Sequence, residues 1–404
     1  AERGRQARRT PVKRNMLRQL LVTGVSRAAV TLHVGEGEPV RQLSASWLLD
    51  HARESRQSTA QRGLLVSEGA ATAEPSVLDA HVRDGELRVT WAADAARAVP
   101  AGTTTYDLAE LALLLRAPHD AVRRERWTAG LFSRPHAPVV DAHALRTDDG
   151  LVHALSHLRA FGVLRIDGMP ATRDATRALV LRIGAPRSTY YSAEMWSTRA
   201  APGERKGIND TAYTSVGIRP HTDGTYFRDP PGLQILNCVS QAERGGESLV
   251  VDALSVVESL RAAAPATLDF LARTPLPWFS YDEDVRSGLP IRLSTHEPVL
   301  RFDASGDLDQ FRYNEYDRGD LAPGEWYDST FLPHWRALVE QVNAPAHVEH
   351  VRLEPGQCLV VDNQRVLHGR TPFDGGVREM VGCYVGRDEY ESRLRSVGLL
   401  RMCG

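Results

Sequence analysis

Lysine is almost missing from this chain of 404 residues. It occurs only at Lys13 and Lys206, and arginine carries the rest of the basic charge. The 49 basic residues are balanced by 51 acidic ones, for a formal net charge of −2. Such a chain has no global field of the kind that gathers nucleic acid or a membrane surface, so neither is expected as a partner. No apolar run approaches the roughly 20 residues that cross a bilayer. Cysteine is scarce too. Cys238, Cys358, Cys383 and Cys403 form neither a C-x-x-C pair nor a disulfide framework. That usage fits a reducing, cytoplasmic setting.

What is present is ordinary for a globular protein, and the length suggests two domains or one with an appendage. Residues 1–24 are expected to be a basic flexible tail, with Glu2 the only acid in the first 18 and no signal-type apolar segment after them. Residues 25–117 read as a small β-rich N-terminal domain, because Val30–His33 and Leu87–Trp91 alternate apolar and polar side chains. Ser46–His51 opens a polar, loop-like stretch, and Tyr106–Leu115 has a helical pattern. Pro118, Pro135 and Pro138 mark residues 118–140 as a connector. A larger domain over 141–404 begins with a helix at Leu151–Phe161, a strand at Gly162–Ile166 and a helix at Thr172–Ile183. Further strands are expected at Gly232–Val239, Glu247–Val251 and within 290–316. Ala253–Arg273 is a helical insert broken at Pro265, and Leu332–Val342 is helical. Val351–Leu353 and Cys358–Val361 form a hairpin around Pro355-Gly356, and Arg378–Val385 is a closing strand. Many short strands with α inserts give a mainly β fold, a double-stranded β-helix of the jelly-roll or cupin type beside the smaller β-rich domain.

The chemistry is concentrated in two places. One is Arg219-Pro220-His221-Thr222-Asp223-Gly224, and the other is Val361 to Arg370 around His368. Residues two apart on a strand share a face, so His221 and Asp223 both reach one ion if the segment is extended. Two imidazoles and a carboxylate are the ligands of a non-haem Fe(II) facial triad, which leaves positions open for a co-substrate and O2. A bare H-x-D is weak evidence in a chain with 14 histidines. It gains weight from His368 in an apolar run and from Arg378 ten residues on, whose two-pronged guanidinium suits a carboxylate.

With those pieces in order, the chain resembles the γ-butyrobetaine/trimethyllysine dioxygenases, which depend on Fe(II) and 2-oxoglutarate. The resemblance rests on Tyr190-Tyr191-Ser192-Ala193-Glu194-Met195-Trp196, Asp210 to Thr214, the His221 segment through Asn237, and Gly245 to Ser248. Arg312 to Arg318 and Asp362 to Arg370 complete it. The Glu-Met-Trp, Asp-Thr-Ala-Tyr and Arg-Tyr-Asn-x-Tyr-Asp-Arg segments look more like trimethyllysine dioxygenase. It implies His221, Asp223 and His368 as iron ligands, and Arg378, Ser248 and Leu236 around 2-oxoglutarate. Tyr191, Trp196 and Tyr213 would cage a quaternary ammonium, with Asp210 nearby and Asn314 and Tyr316 at the substrate's other end. The reaction implied is O2-dependent hydroxylation coupled to decarboxylation of the keto acid to succinate, with ascorbate as reductant in vitro. Its substrate would be a small cationic metabolite, Nε-trimethyllysine at C3 first. The same chemistry on γ-butyrobetaine, or on an amino-acid-like or phosphonate metabolite, is the alternative. Hydroxylation, desaturation and ring formation all stay open. A homodimer is the family's assembly.

The chain departs from the family in its N-terminal domain. Trp47 to His51 resembles the start of a zinc element, yet Ala52 to Ser58 holds no cysteine, so a structural zinc is not expected and His51 and His81 read as surface residues. Gly224 replaces a bulkier residue and leaves room for a changed substrate. Residues 197–209 are expected to form a lid. A non-catalytic cupin-like binding protein and a zinc hydrolase are the readings from other classes. A complete triad with Arg378 argues against the first, and an iron-against-zinc titration separates the second.

Overall fold

The computed structural model describes residues 21–33, 40–52, 75–92, 102–108, 111, 122–201, 211–284 and 287–400. The chain divides into two compact units, Ala1–His119 and Asp120–Leu400.

The first unit holds two antiparallel three-stranded sheets. One contains β1 (Leu21–Val25), β2 (Ala29–His33) and β3 (Arg41–Ser44), which runs into helix α1 (Ala45–Asp50). The other contains β4 (Val77–Arg83), β5 (Glu86–Trp91) and β6 (Gly102–Asp107). Alternation on β5 buries Leu87, Val89 and Trp91, which join Val30, Leu32 and Leu48 in one core. Two expectations fail here. Ser46–His51 lies in and just after α1, because Ala45, Leu48 and Leu49 recur at helical spacing and the Ser44 hydroxyl accepts the Trp47 N–H at 3.1 Å. Tyr106 belongs to β6, where it pairs with Leu87 and donates its hydroxyl to the Leu48 carbonyl. Asp107 ends the same strand, Leu108 and Leu111 are helical as expected, and the remainder of that helix lies outside the described residues. His51 is half-buried rather than a surface residue, since its ring stacks on Trp47 at 4.0 Å. The segment expected to lack a zinc site, 53–58, is outside the described residues.

The second unit runs β7 (Val139–Asp141), α2 (Asp148–Phe161), β8 (Val163–Asp167), α3 (Arg173–Ile183), β9 (Met195–Ala200), β10 (Ile218–His221) and β11 (Leu233–Ser240). There follow β12 (Arg244–Gly245), β13 (Ser248–Asp252), α4 (Ala253–Ala263), α5 (Pro265–Arg273) and two hairpins, β14 (Leu276–Glu283) with β15 (Pro290–Glu297) and β16 (Leu300–Phe302) with β17 (Leu308–Phe311). Last come α6 (Leu332–Val342), β18 (Val348–Val351), β19 (Gln357–Asp362), β20 (Val366–Arg370), β21 (Phe373–Asp374), β22 (Arg378–Val385) and α7 (Arg387–Ser396). Two sheets make the jelly roll: six strands in the order β7-β8-β19-β11-β22-β9, and four in the order β10-β20-β13-β18.

Strand alternation assigns the faces. On β11 and β22, Leu233, Ile235, Cys383 and Val385 point outward and pack with Leu155 of α2, Val180 of α3 and Leu394 of α7. The opposite face carries Leu359, Val361 and Met380, which share a core with Val250, Val351 and Val366 of the four-stranded sheet. The space between the sheets is therefore apolar at one end and carries the polar side chains described below at the other.

Residues 122–140 are not a bare connector. Trp127 and Leu131 are buried in the inter-sheet core, and Val139–Asp141 is a strand parallel to β8. Val351 and Cys358 do not face each other across a hairpin either. β18 pairs with β13 in one sheet and β19 with β11 and β8 in the other, so the turn at Pro355-Gly356 carries the chain between sheets. Residues 197–200 of the expected lid are strand β9, paired with β22, and 202–209 lie outside the described residues.

A buried ion pair ties this unit together just before the distal histidine. Arg365 meets Asp252 through Nε–Oδ1 at 3.0 Å and a second nitrogen at 3.2 Å, and both side chains are almost wholly buried. The same guanidinium donates to the carbonyls of Ala160 and Glu125, while Asp252 caps α4 and accepts the Trp127 N–H. Removing one partner leaves the other charge buried alone. Arg365→Met is expected to cost about 3–5 kcal/mol of unfolding free energy, read as a lower denaturant midpoint at unchanged slope.

Candidate functional site

His221 ends β10, and His368 sits in the middle of β20 directly opposite it. Pro220 is tolerated in β10 because that strand is at the sheet edge and lacks a neighbour on one side. Asp223 is not in the strand, contrary to the extended reading, but in the turn that follows. The turn returns its carboxylate to the histidines: His221 Nε2 is 3.2 Å from Oδ1 and His368 Nε2 is 3.4 Å from Oδ2. One ligand atom from each of the three lies within 4.8 Å of the others, and they are the only such group of three among the described residues.

The surroundings hold this constellation in place. His221 Nδ1 is 2.8 Å from the Arg219 carbonyl, so that nitrogen carries the proton and Nε2 presents its lone pair. Asn363 clamps the backbone of Asp223 from both sides, accepting its N–H at 2.8 Å and donating to its carbonyl at 3.0 Å. The Gln234 amide and the Tyr384 hydroxyl, the latter at 2.7 Å, both donate to Oδ2. Burial alone would raise the Asp223 pKa, but the neighbouring imidazoles and their hydrogen bonds hold it well below the usual carboxylate range. His221 is raised, its burial being outweighed by the bond and charge of Asp223, whereas burial lowers His368. Two imidazole nitrogens and an ionised carboxylate in this compass fit a small divalent cation of the facial-triad type.

Arg378 opens β22 and is buried. Its Nε donates to the Gly246 carbonyl at 3.1 Å, and burial lowers its pKa. No carboxylate of the described residues pairs with it, so a buried guanidinium fork stands ready for an anionic ligand. Ser248 is two residues from Gly246, buried, and on the strand face that also carries Val250, the cross-strand partner of His368. Leu236 faces inward between Leu359 and Gly382. These three residues fit the carboxylate end and wall of a keto diacid.

The aromatic candidates divide. Trp196 lies across from Gly382 in the β9–β22 pairing and stacks obliquely on Tyr384, with ring centroids 5.5 Å apart. A Cβ on Gly382 would stand 2.0 Å from the indole ring, so the bare backbone there is what lets the ring lie against the sheet. Tyr191 meets Tyr190 edge-on at 4.9 Å, and burial together with the nearby charge of Asp223 raises its pKa. Tyr213 is in the turn Thr211–Tyr213, which touches β9 and is held by Arg370 through the carbonyls of Thr211, Ala212 and Thr214. Asn314 is buried, its Oδ1 accepting the Tyr316 N–H, whereas Tyr316 itself is 52% exposed and is not gathered into the cluster. Asp210 lies outside the described residues. Gly224 does not open the site: it adopts φ 67°, with Phe227 and Pro231 packed where a Cβ would go.

The profile of the family described as taurine catabolism dioxygenase TauD, TfdA family matches residues 129–384, more than half of the chain. The chain belongs to this family. It is an oxoglutarate-dependent dioxygenase. It is 30% identical to the trimethyllysine dioxygenase of Bos taurus over 366 residues, covering 87% of this chain and 82% of that one. The Homo sapiens trimethyllysine dioxygenase gives the same identity and coverage. The γ-butyrobetaine dioxygenase of a Pseudomonas species is 31% identical over 77% of this chain and 78% of its own.

Sequence reasoning missed roles for Gln234, Asn363, Gly382 and Tyr384 in this dioxygenase. Two signals were available. Gln234 is a polar residue between the apolar Leu233 and Ile235 of its strand, and Tyr384 is six residues from Arg378, hence on the same strand face. Because Tyr384 orients the carboxylate, Tyr384→Phe is expected to weaken metal binding by about 10- to 100-fold without changing the fold, as read by titration of the protein with Fe(II) or Co(II).

Proposed function

We propose that this dioxygenase hydroxylates a small trimethylammonium amino acid, with Nε-trimethyllysine at C3 as the favoured substrate. The observation that carries the reading is the aromatic group joined to the metal-ligand cluster: Tyr384 bonds Asp223 with its hydroxyl and meets Trp196 with its ring, and Tyr191 lies within reach of the Asp223 charge. Aromatic faces attract a cation that has no hydrogen to donate, by roughly 0.5–2 kcal/mol each. A quaternary ammonium held there is fixed at a short distance from the reacting centre. His221, Asp223 and His368 would hold Fe(II). Arg378, with Ser248 beside it and Leu236 as a wall, would bind the distal carboxylate of 2-oxoglutarate. The bound metal and keto acid together supply oxidation of a C–H bond to C–OH by O2, with 2-oxoglutarate leaving as succinate and CO2. The chain's own part is to orient the substrate, keep the ligand carboxylate ionised and exclude water.

The test is turnover of the purified protein with Fe(II), ascorbate, 2-oxoglutarate and air, given Nε-trimethyllysine, γ-butyrobetaine or lysine. Succinate with a product one oxygen heavier from trimethyllysine is expected. Oxidation of γ-butyrobetaine alone would move the reading to that substrate. Succinate with none of the three oxidised would refute the trimethylammonium assignment and leave the iron chemistry standing.

Two substitutions probe the binding roles separately. Arg378→Gln is expected to raise the KM for 2-oxoglutarate by roughly 10- to 100-fold, with the KM for the cationic substrate little changed. Gly382→Ala forces the Trp196 ring off the sheet and is expected to do the reverse. Indole fluorescence reports the displacement, and metal titration confirms an intact centre.

A further inference from the structure

The segment after β17 lies directly against the metal-ligand turn. The Thr222 N–H donates to the Tyr313 carbonyl at 2.7 Å, and the Tyr313 N–H donates to the Thr222 hydroxyl at 3.0 Å. Arg312 donates to the carbonyls of Thr225, Phe227 and Arg228, fixing the far side of the turn. The backbone then bends at Asn314, and this bend returns Asp317 to Thr225, whose hydroxyl donates to Oδ2 at 2.7 Å.

Asp317 is a half-buried carboxylate on which the charge of His221 acts without forming an ion pair. Its carboxylate takes a hydrogen bond from the Thr225 hydroxyl, a neutral donor. No cationic side chain of the described residues pairs with it. The adjacent Arg318 turns away, its guanidinium lying over the rings of Phe331 and Trp335 at 5.4 and 5.6 Å. Burial pushes the Asp317 pKa up to about 7, against the pull of the Thr225 hydroxyl and of the His221 charge, with the negative charge of Asp223 adding to the rise. The side chain also sits within the electrostatic reach of Tyr226, which in turn couples to Tyr190 and Tyr191. Thr225, which bonds Asp317, precedes Tyr226, whose ring lies 6.5 Å from that of Tyr190, itself edge-on to Tyr191, so Asp317 is joined to the aromatic group through the ligand turn. It reaches the ligand turn from residues 313–317, whereas Tyr384 and Trp196 approach from β22 and β9.

A carboxylate set into protein with only neutral donors is costly to keep ionised, and a cation delivered by a ligand removes that cost. We propose that Asp317 receives a primary ammonium of the substrate, at the end away from the quaternary nitrogen. The site then selects a free amino acid over a betaine that lacks an amine. This assignment rests on the trimethylammonium reading and narrows it: a substrate with two cationic centres fits, and one with a single quaternary nitrogen leaves Asp317 uncompensated.

The test compares Nε-trimethyllysine with its des-amino counterpart, identical except for hydrogen in place of the α-ammonium. Binding of each is measured by anaerobic calorimetry to the Fe(II)–2-oxoglutarate form of the wild type and of Asp317→Asn. The wild type is expected to prefer the amino compound by about 10- to 100-fold. Asp317→Asn is expected to abolish the preference by weakening the amino compound alone. The des-amino compound is the internal control for folding, since a damaged site loses both. Equal weakening of both compounds, or of neither, would overturn the assignment, as would equal affinity of the wild type for the two. Failure of the wild type to bind either compound would instead refute the trimethylammonium reading, and this assignment with it.

Discussion

The register between β10 and β20 is the constraint on which the site depends. His221 and His368 are direct cross-strand partners, with ring centroids 4.5 Å apart. Side chains on a strand alternate faces, so a slip of one residue would put His368 on the wrong side of its sheet. The register is held from the other edge as well. β20 also pairs with β13 over five residues, which sets Val250 opposite His368 and Asp252 opposite Val366. Asp252 is in turn locked to Arg365 in the turn that feeds β20. A buried ion pair is a poor source of net stability, but here it fixes the strand that delivers a ligand candidate.

The third member, Asp223, is held by a different device. It lies beyond the end of its strand, and no ladder bond secures it. Asn363 does so instead, bridging from the β19–β20 turn to the Asp223 backbone and to the Pro231 carbonyl. The two chain segments that approach the centre are thus pinned to each other through one amide. Tyr384 then joins the carboxylate to the aromatic surface, so the ring face and the ligand oxygen are positioned by a single side chain on a central strand. Changes in this aromatic surface are therefore expected to be felt at the ligand candidates.

Much of this was legible in the sequence wherever one physical pattern dominated. Alternation located β2 and β5, short apolar runs between turn signals located β8, β11, β13 and β22, and helical spacing located α2, α3 and α6 to within three residues. Pro265 marked the break between α4 and α5. The errors arose where tertiary packing overrode local cues. The prolines of 118–140 suggested a linker, yet Trp127 and Leu131 complete the inter-sheet core. Pro355-Gly356 looked like a hairpin turn because a sequence does not say which sheet each flanking strand joins. Polar neighbours hid the apolar face of α1. The ligand candidates were readable because their spacing is local or framed by apolar runs. Gln234 and Tyr384 were not, since their partner Asp223 is brought to them only when two sheets close.

Two charges without ion-pair partners among the described residues follow one logic. Arg378 is a buried cation and Asp317 a half-buried anion, each fastened by a neutral hydrogen bond. For folding alone both are liabilities, and apolar residues of similar volume would serve the core at least as well. Local rules are broken in this way where function requires it. The two signs also differ in consequence. The guanidinium keeps its charge at any ordinary pH, so its site favours an anion whenever the protein is folded. Burial pushes the Asp317 carboxylate toward its neutral form, so an incoming ammonium, by its own charge, favours the ionised one. On the proposed reading, the keto acid enters a site already charged for it, and the amino acid completes the charge of its own.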